Sequence, residues 1–158
     1  MSVSMNSLTR RTDQNVVSIF PAERKLAISE PESQWRSKVI ERLEKLIRLK
    51  PGWDGYEAQP VSFENAAFVL QMLDSICGDD APTPQIVPGY KGDLQIEWHK
   101  PNGEIELHVA GPNDVRAWRC FAEDPEDGLE QNFANNFTAL VNWIEQITER
   151  EVDIQRAA

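Results

Sequence analysis

The stretch from Leu49 to Ser62, which carries Pro51, Gly52, Trp53, Asp54, Gly55 and Tyr56, restricts the fold more than any other part of the chain. Pro51 cannot continue a helix that reaches it, because its ring removes the N–H and clashes with the preceding turn. Gly52 and Gly55 can take positive φ without a Cβ clash, and the Asp54 side chain can bond the backbone that follows it. A rigid turn between two flanking elements results. Trp53 and Tyr56 ride on a segment too short and polar to bury them, so both rings are expected to lock the turn onto a core built elsewhere.

Both flanking elements read as helices. From Glu32 to Lys50, the apolar residues Trp35, Val39, Leu43, Leu46 and Ile47 recur at three- and four-residue steps, with Arg36, Lys38, Arg42, Lys45 and Arg48 between them. Ser29 or Ser33 is the expected cap, with Pro31 in the first turn. After the turn, Ser62 caps a second helix whose apolar set is Phe63, Ala66, Val69, Leu70, Leu73 and Ile76, ended by Gly78-Asp79-Asp80.

Between Ala81 and Phe121 the period changes to two. Gln85-Ile86-Val87 lies between Pro84 and Pro88; then Leu94, Ile96 and Trp98 alternate with Gln95, Glu97 and His99. Beyond Asn102-Gly103, Ile105, Leu107 and Val109 alternate with Glu104, Glu106 and His108, and Asn-Gly flanked by alternation signals a hairpin. Val115 to Phe121 is a further strand whose register is blurred by Arg116, Trp118 and Arg119. Residues 122–130 read as an acidic loop, and Leu129 to Arg150 as a third helix with Phe133, Phe137, Leu140, Val141, Ile144 and Ile147 at helical spacing. The expected fold is α+β: an antiparallel meander of three to four strands packed against about three helices. Its domain spans 32–150, between a flexible N-terminal tail, 1–31, and a frayed end, 151–158.

Charge narrows the choice of partner. The chain of 158 residues has a formal net charge of −10. Residues 1–31 sum to +1, 32–50 to +3, 51–110 to −8 and 111–158 to −6, so the basic charge concentrates in the first helix. A body this acidic repels phosphate backbones and attracts basic proteins. No apolar run approaches the roughly 18 residues of a membrane span. Residues 1–11 lack the apolar block of a secretory signal, so the expected compartment is the cytoplasm. Cys77 and Cys120 form neither a disulfide framework nor a ligand set and are expected to be buried free thiols.

One constellation invites chemistry. With Asn102-Gly103 as a two-residue turn, Glu97 would face His108 and His99 would face Glu106, joining the only two histidines to two carboxylates on the face away from the core. Those four residues are weak candidates for a metal site or an acid/base couple; as complementary pairs on a solvated sheet they need neither, and no metal or cofactor is assigned. The chain has no phosphate-binding glycine loop, no Gly-x-Ser-x-Gly, no His-Glu-x-x-His and no Cys-x-x-Cys. Residues better suited to contact a partner are Ile19 and Phe20 in the apolar patch of the tail, with Glu123, Asp124, Glu126 and Asp127 of the acidic segment.

The pattern Leu49-x-x-Gly52-Trp53-Asp54-Gly55-x-x-Ala58-x-Pro60, followed by Pro84-x-Ile86-x-Pro88 and Ile96-Glu97-Trp98, resembles that of a group of small uncharacterised bacterial proteins. The likeness covers roughly residues 43–110. It implies a gene context of accessory and mobile clusters, including toxin–antitoxin and phage-defence neighbourhoods, and supplies no catalytic residue or cofactor. The reading that follows is a non-catalytic acidic protein of antitoxin, immunity or defence-accessory type, with a basic partner encoded by a neighbouring gene. The alternative is a small metal-dependent enzyme or sensor using the His99, His108, Glu97 and Glu106 face.

Overall fold

The structure is a computed structural model that describes residues 33–149. The expected tail, with Ile19 and Phe20, and the segment 151–158 lie outside the described residues. Helix α1, Arg36–Ile47, turns Val39, Leu43 and Leu46 inward. It starts at Trp35 with no side-chain cap, so Ser33 does not play that role. Trp35 is itself buried and donates its indole N–H to the Gly78 carbonyl at 2.9 Å, while Arg36 forms a forked pair with Asp74 of the second helix. Helix α2, Phe63–Ile76, opens as expected: the Ser62 hydroxyl accepts from the Asn65 N–H at 3.1 Å. Phe63 departs from the expected apolar face and is 70% exposed. It occupies the first helical position, before the helix face has turned toward the sheet.

The turn between these helices is rigid, but it is held mainly by its own backbone. The Asp54 carboxylate accepts from the N–H groups of Tyr56 (2.8 Å) and Ala58 (3.2 Å), and Gly52 N–H donates to the Ala58 carbonyl at 2.7 Å. Gly52 and Gly55 take φ of +80° and +90°, the conformation that only glycine adopts at little cost. Contrary to expectation, Tyr56 is 85% exposed, and Trp53 is half-buried with its N–H spent on the Gln59 carbonyl within the same loop. The small residues Ala58 and Val61 carry the loop into the core, and Gln59 N–H bonds the Tyr90 carbonyl.

Five strands follow one another in a single antiparallel sheet: β1 Gln85–Pro88, β2 Leu94–Lys100, β3 Gly103–Gly111, β4 Asp114–Phe121 and β5 Asp124–Phe133. The last of these corrects the expected acidic loop and the first part of the expected third helix. Leu129, Gln131 and Phe133 pair with Arg119, Ala117 and Val115. An otherwise open β4 edge accepts a ladder that helical spacing alone could not reveal. Helix α3 is therefore only Thr138–Ile147, with Leu140, Trp143, Ile144 and Ile147 buried.

The β2–β3 hairpin keeps the expected faces but not the expected register. Lys100 pairs with Gly103, so the two turn residues are Pro101 and Asn102. Gly103 has no positive φ; its Cβ would instead sit 2.7 Å from Phe121 Cδ1 and 3.2 Å from Ile147 Cγ2. Glycine is needed there for close packing of the hairpin beneath α3.

The three helices and the face of the sheet bearing Leu94, Ile96, Trp98, Ile105, Leu107 and Val109 share one core. Arg119 also points to this face, its guanidinium stacked 4.6 Å from the Phe121 ring centroid and 5.3 Å from that of Trp143. That inward arginine is why β4 does not alternate cleanly in the sequence.

Candidate functional site: the bare face of the sheet

Strand alternation that sends the apolar residues to the helices sends Gln95, Glu97, His99, Glu104, Glu106, His108, Arg116, Trp118, Glu130 and Asn132 to the other side. No described element covers them. Between β2 and β5 this face forms a concavity of about 700 Å³, lined by Asp93, Glu104, Glu106, His108, Trp118 and Glu130 among others. Across it, Glu97, Glu106, Trp118 and Glu130 lie in one row of paired residues, and Gln95, His108, Arg116 and Asn132 in the next.

The register breaks both expected histidine pairs. Glu97 faces Glu106, and like charges directly opposite each other are unfavourable. Glu97 is relieved by Gln95 Nε2 at 2.9 Å and His99 Nε2 at 3.0 Å. Glu106, half-buried, accepts no hydrogen bond and makes no ion pair among the described residues. The hydrogen bond to Glu97 and the charges of Glu104, Glu97 and Glu106 raise the His99 pKa against a smaller opposing effect of burial.

His108 turns the other way. Its Nε2 lies 2.7 Å from Asp93 Oδ2, and the second Asp93 oxygen accepts from Lys91 N–H at 3.1 Å. Asp93 thereby clasps the 89–92 turn to the sheet. Burial works to raise the Asp93 pKa, but hydrogen bonds from His108, its own N–H and Lys91, with the His108 charge, outweigh it and leave the carboxyl below its ordinary value.

His99 and His108 thus serve different carboxylates, and among the described residues no three His, Cys, Asp or Glu groups converge as metal ligands. Cys77 and Cys120 form no disulfide among the described residues and are only half-buried; burial, then the Asp74 charge, pushes the Cys77 thiol up to about 12. Glu123 and Asp124 are exposed at the turn into β5, and Glu126 and Asp127 belong to that strand. Sequence reasoning missed Trp118 and Glu130 as parts of the face. Trp118 lies against Gly128, whose Cβ would approach the indole nitrogen to 3.1 Å. The only advance signal was a tryptophan alternating out of phase with Val115 and Ala117.

No family model, curated protein or solved structure matches this chain. No described helix is long and apolar enough to cross a membrane.

Proposed function

We propose that this chain is a non-catalytic protein-binding domain of antitoxin, immunity or defence-accessory type, and that its bare sheet face docks a basic protein. One observation carries the reading: the three described helices lie on the opposite face, leaving Asp93, Glu104, Glu106 and Glu130 around the half-buried Trp118, with Arg116 beside them 3.4 Å from Glu130. An aromatic centre ringed by carboxylates, with Glu106 unpaired, suits lysine or arginine side chains of a partner, which would gain both charge and ring contacts. Electrostatic complementarity of this kind speeds association and selects against acidic partners. The exposed carboxylates of Glu123 and Asp124 extend the acidic surface at one hairpin tip.

Calorimetric titration against the product of an adjacent gene that encodes a basic protein tests the reading. Binding is expected to weaken steeply with added salt, and the double substitution Glu104→Lys, Glu106→Lys to weaken it about a hundredfold. Affinity unchanged by both salt and the double substitution would overturn the assignment of this face.

A further inference from the structure

The two edges of the sheet differ in how their backbone groups are satisfied. Antiparallel pairing alternates hydrogen-bonded and non-hydrogen-bonded residues, so every second residue of an edge strand points its N–H and C=O outward. On β1 those outward groups belong to Ile86 and Pro88. Arg42 Nε donates to the Ile86 carbonyl at 2.9 Å, Pro88 has no N–H, and the strand is only 4 residues long. That edge is closed.

At the β5 edge the ladder can be followed from one bond. Ala122 N–H donates to the Asn102 carbonyl at 3.1 Å, which makes 102 and 122 a hydrogen-bonded pair. Alternation then gives Glu104, Glu106 and His108 to β4, and Val115, Ala117 and Arg119 to β5. Leu129, Gln131 and Phe133 are consumed in this way, while Glu130 and Asn132 point outward. Among the described residues β5 pairs with β4 alone, and no bond to those outward groups is present.

We infer that β5 is a strand-addition site, where an extended basic strand of the partner protein pairs antiparallel with Leu129–Phe133. The inference rests on the proposed acidic docking face and specifies how that face is engaged. Charge selects the occupant: Glu130 lies on the added strand's path, exposed beyond its 3.4 Å ion pair with Arg116, and the β5 sequence also carries Asp124, Glu126 and Asp127. A second copy of β5 would set Glu130 against Glu130 or against the neutral Asn132, depending on register, and so offers no opposite charge, which favours a basic strand over self-pairing. Directly paired residues share a face, so the incoming residues that bond Glu130 and Asn132 project over the acidic concavity. Those positions take lysine or arginine. The residues between them lie on the helix-covered side beside Leu129 and Phe133, which pack against the core, and these take apolar side chains.

Alternation of this kind ties each backbone edge of the incoming strand to one class of side chain, and this gives the test. Three peptides of about ten residues alternating Lys and Val are titrated into the full chain: one unmodified, one N-methylated at every Lys, one N-methylated at every Val. Methylation at Lys removes the donors aimed at β5 and is expected to weaken binding about tenfold or more. Methylation at Val is expected to change it little, and the unmodified peptide to slow amide exchange at Glu130 and Asn132. Equal binding of the two methylated peptides would overturn strand addition while leaving the acidic face intact as a docking surface. Failure of every peptide, while the basic neighbour protein binds, would also overturn strand addition. Failure of the peptides and of the neighbour protein together would overturn both readings.

Discussion

Asp93 holds together parts of the protein that share no local pattern. It reaches His108, fifteen positions away, and the Lys91 N–H within its own turn. Because its folded pKa is depressed, the stabilisation is present above the ordinary carboxylate range and is lost as pH falls through the lower folded value. The substitution Asp93→Asn is therefore expected to lower stability by about 1–2 kcal/mol near neutrality and to show a shallower loss of stability than the wild type below about pH 4, measured by urea denaturation across pH. Equal acid slopes in the two proteins would remove the role given to Asp93. His99 works with the opposite sign: its raised pKa contributes below the ordinary imidazole value and fades as pH rises through the folded one. At 47% side-chain exposure, its contribution is small. Local residue chemistry was readable where partners are close in sequence, as at the Ser62 cap and the Asp54 turn. It was unreadable for Tyr56, since nothing local says whether a ring on a turn meets a core.

At the scale of elements, the hairpin demonstrates how one residue can mislead. Asn102-Gly103 invites a turn with positive φ, yet Pro101 and Asn102 make the bend with Lys100 opposite Gly103. The two-position change in register preserves which face each residue occupies, so the core was read correctly while the cross-strand partners were not. Packing explains the glycine. Gly103→Ala would push a methyl group into Phe121 and Ile147 and is expected to lower stability by about 1–3 kcal/mol in chemical denaturation. Gly111→Ala, with open space around its Cβ position and no positive φ, is the control and should stay within about 0.5 kcal/mol of the wild type. If the two substitutions cost the same, close packing is not what selects Gly103. β5 was lost to the same kind of ambiguity: Phe133, Phe137 and Leu140 fit a helical period, but Leu129, Gln131 and Phe133 also fit a strand, and only the vacancy beside β4 decides between them.

The whole molecule separates its charges. Basic residues of α1 lie on the helix layer, whereas the sheet face opposite carries Glu97, Glu104, Glu106 and Glu130. Such an excess of one sign strains the compact state, and salt screens it over a Debye length of about 10 Å at 0.1 M. The thermal midpoint is expected to rise as sodium chloride is increased from low ionic strength, as measured by circular dichroism; a falling midpoint would mean that attractive pairs dominate. From its sequence alone this chain declared the α+β class, the two flanking helices, the central hairpin and the sides of β2 and β3 that meet the core, because those follow from periodicities of 3.6 and 2 within short windows. Tertiary structure decided the fifth strand, the exposure of Tyr56, the inward turn of Arg119, the partners of both histidines and the presence of an acidic face that no described element covers. Each of these depends on which surfaces remain unpaired once distant elements have packed, and that information is carried by no single stretch of residues.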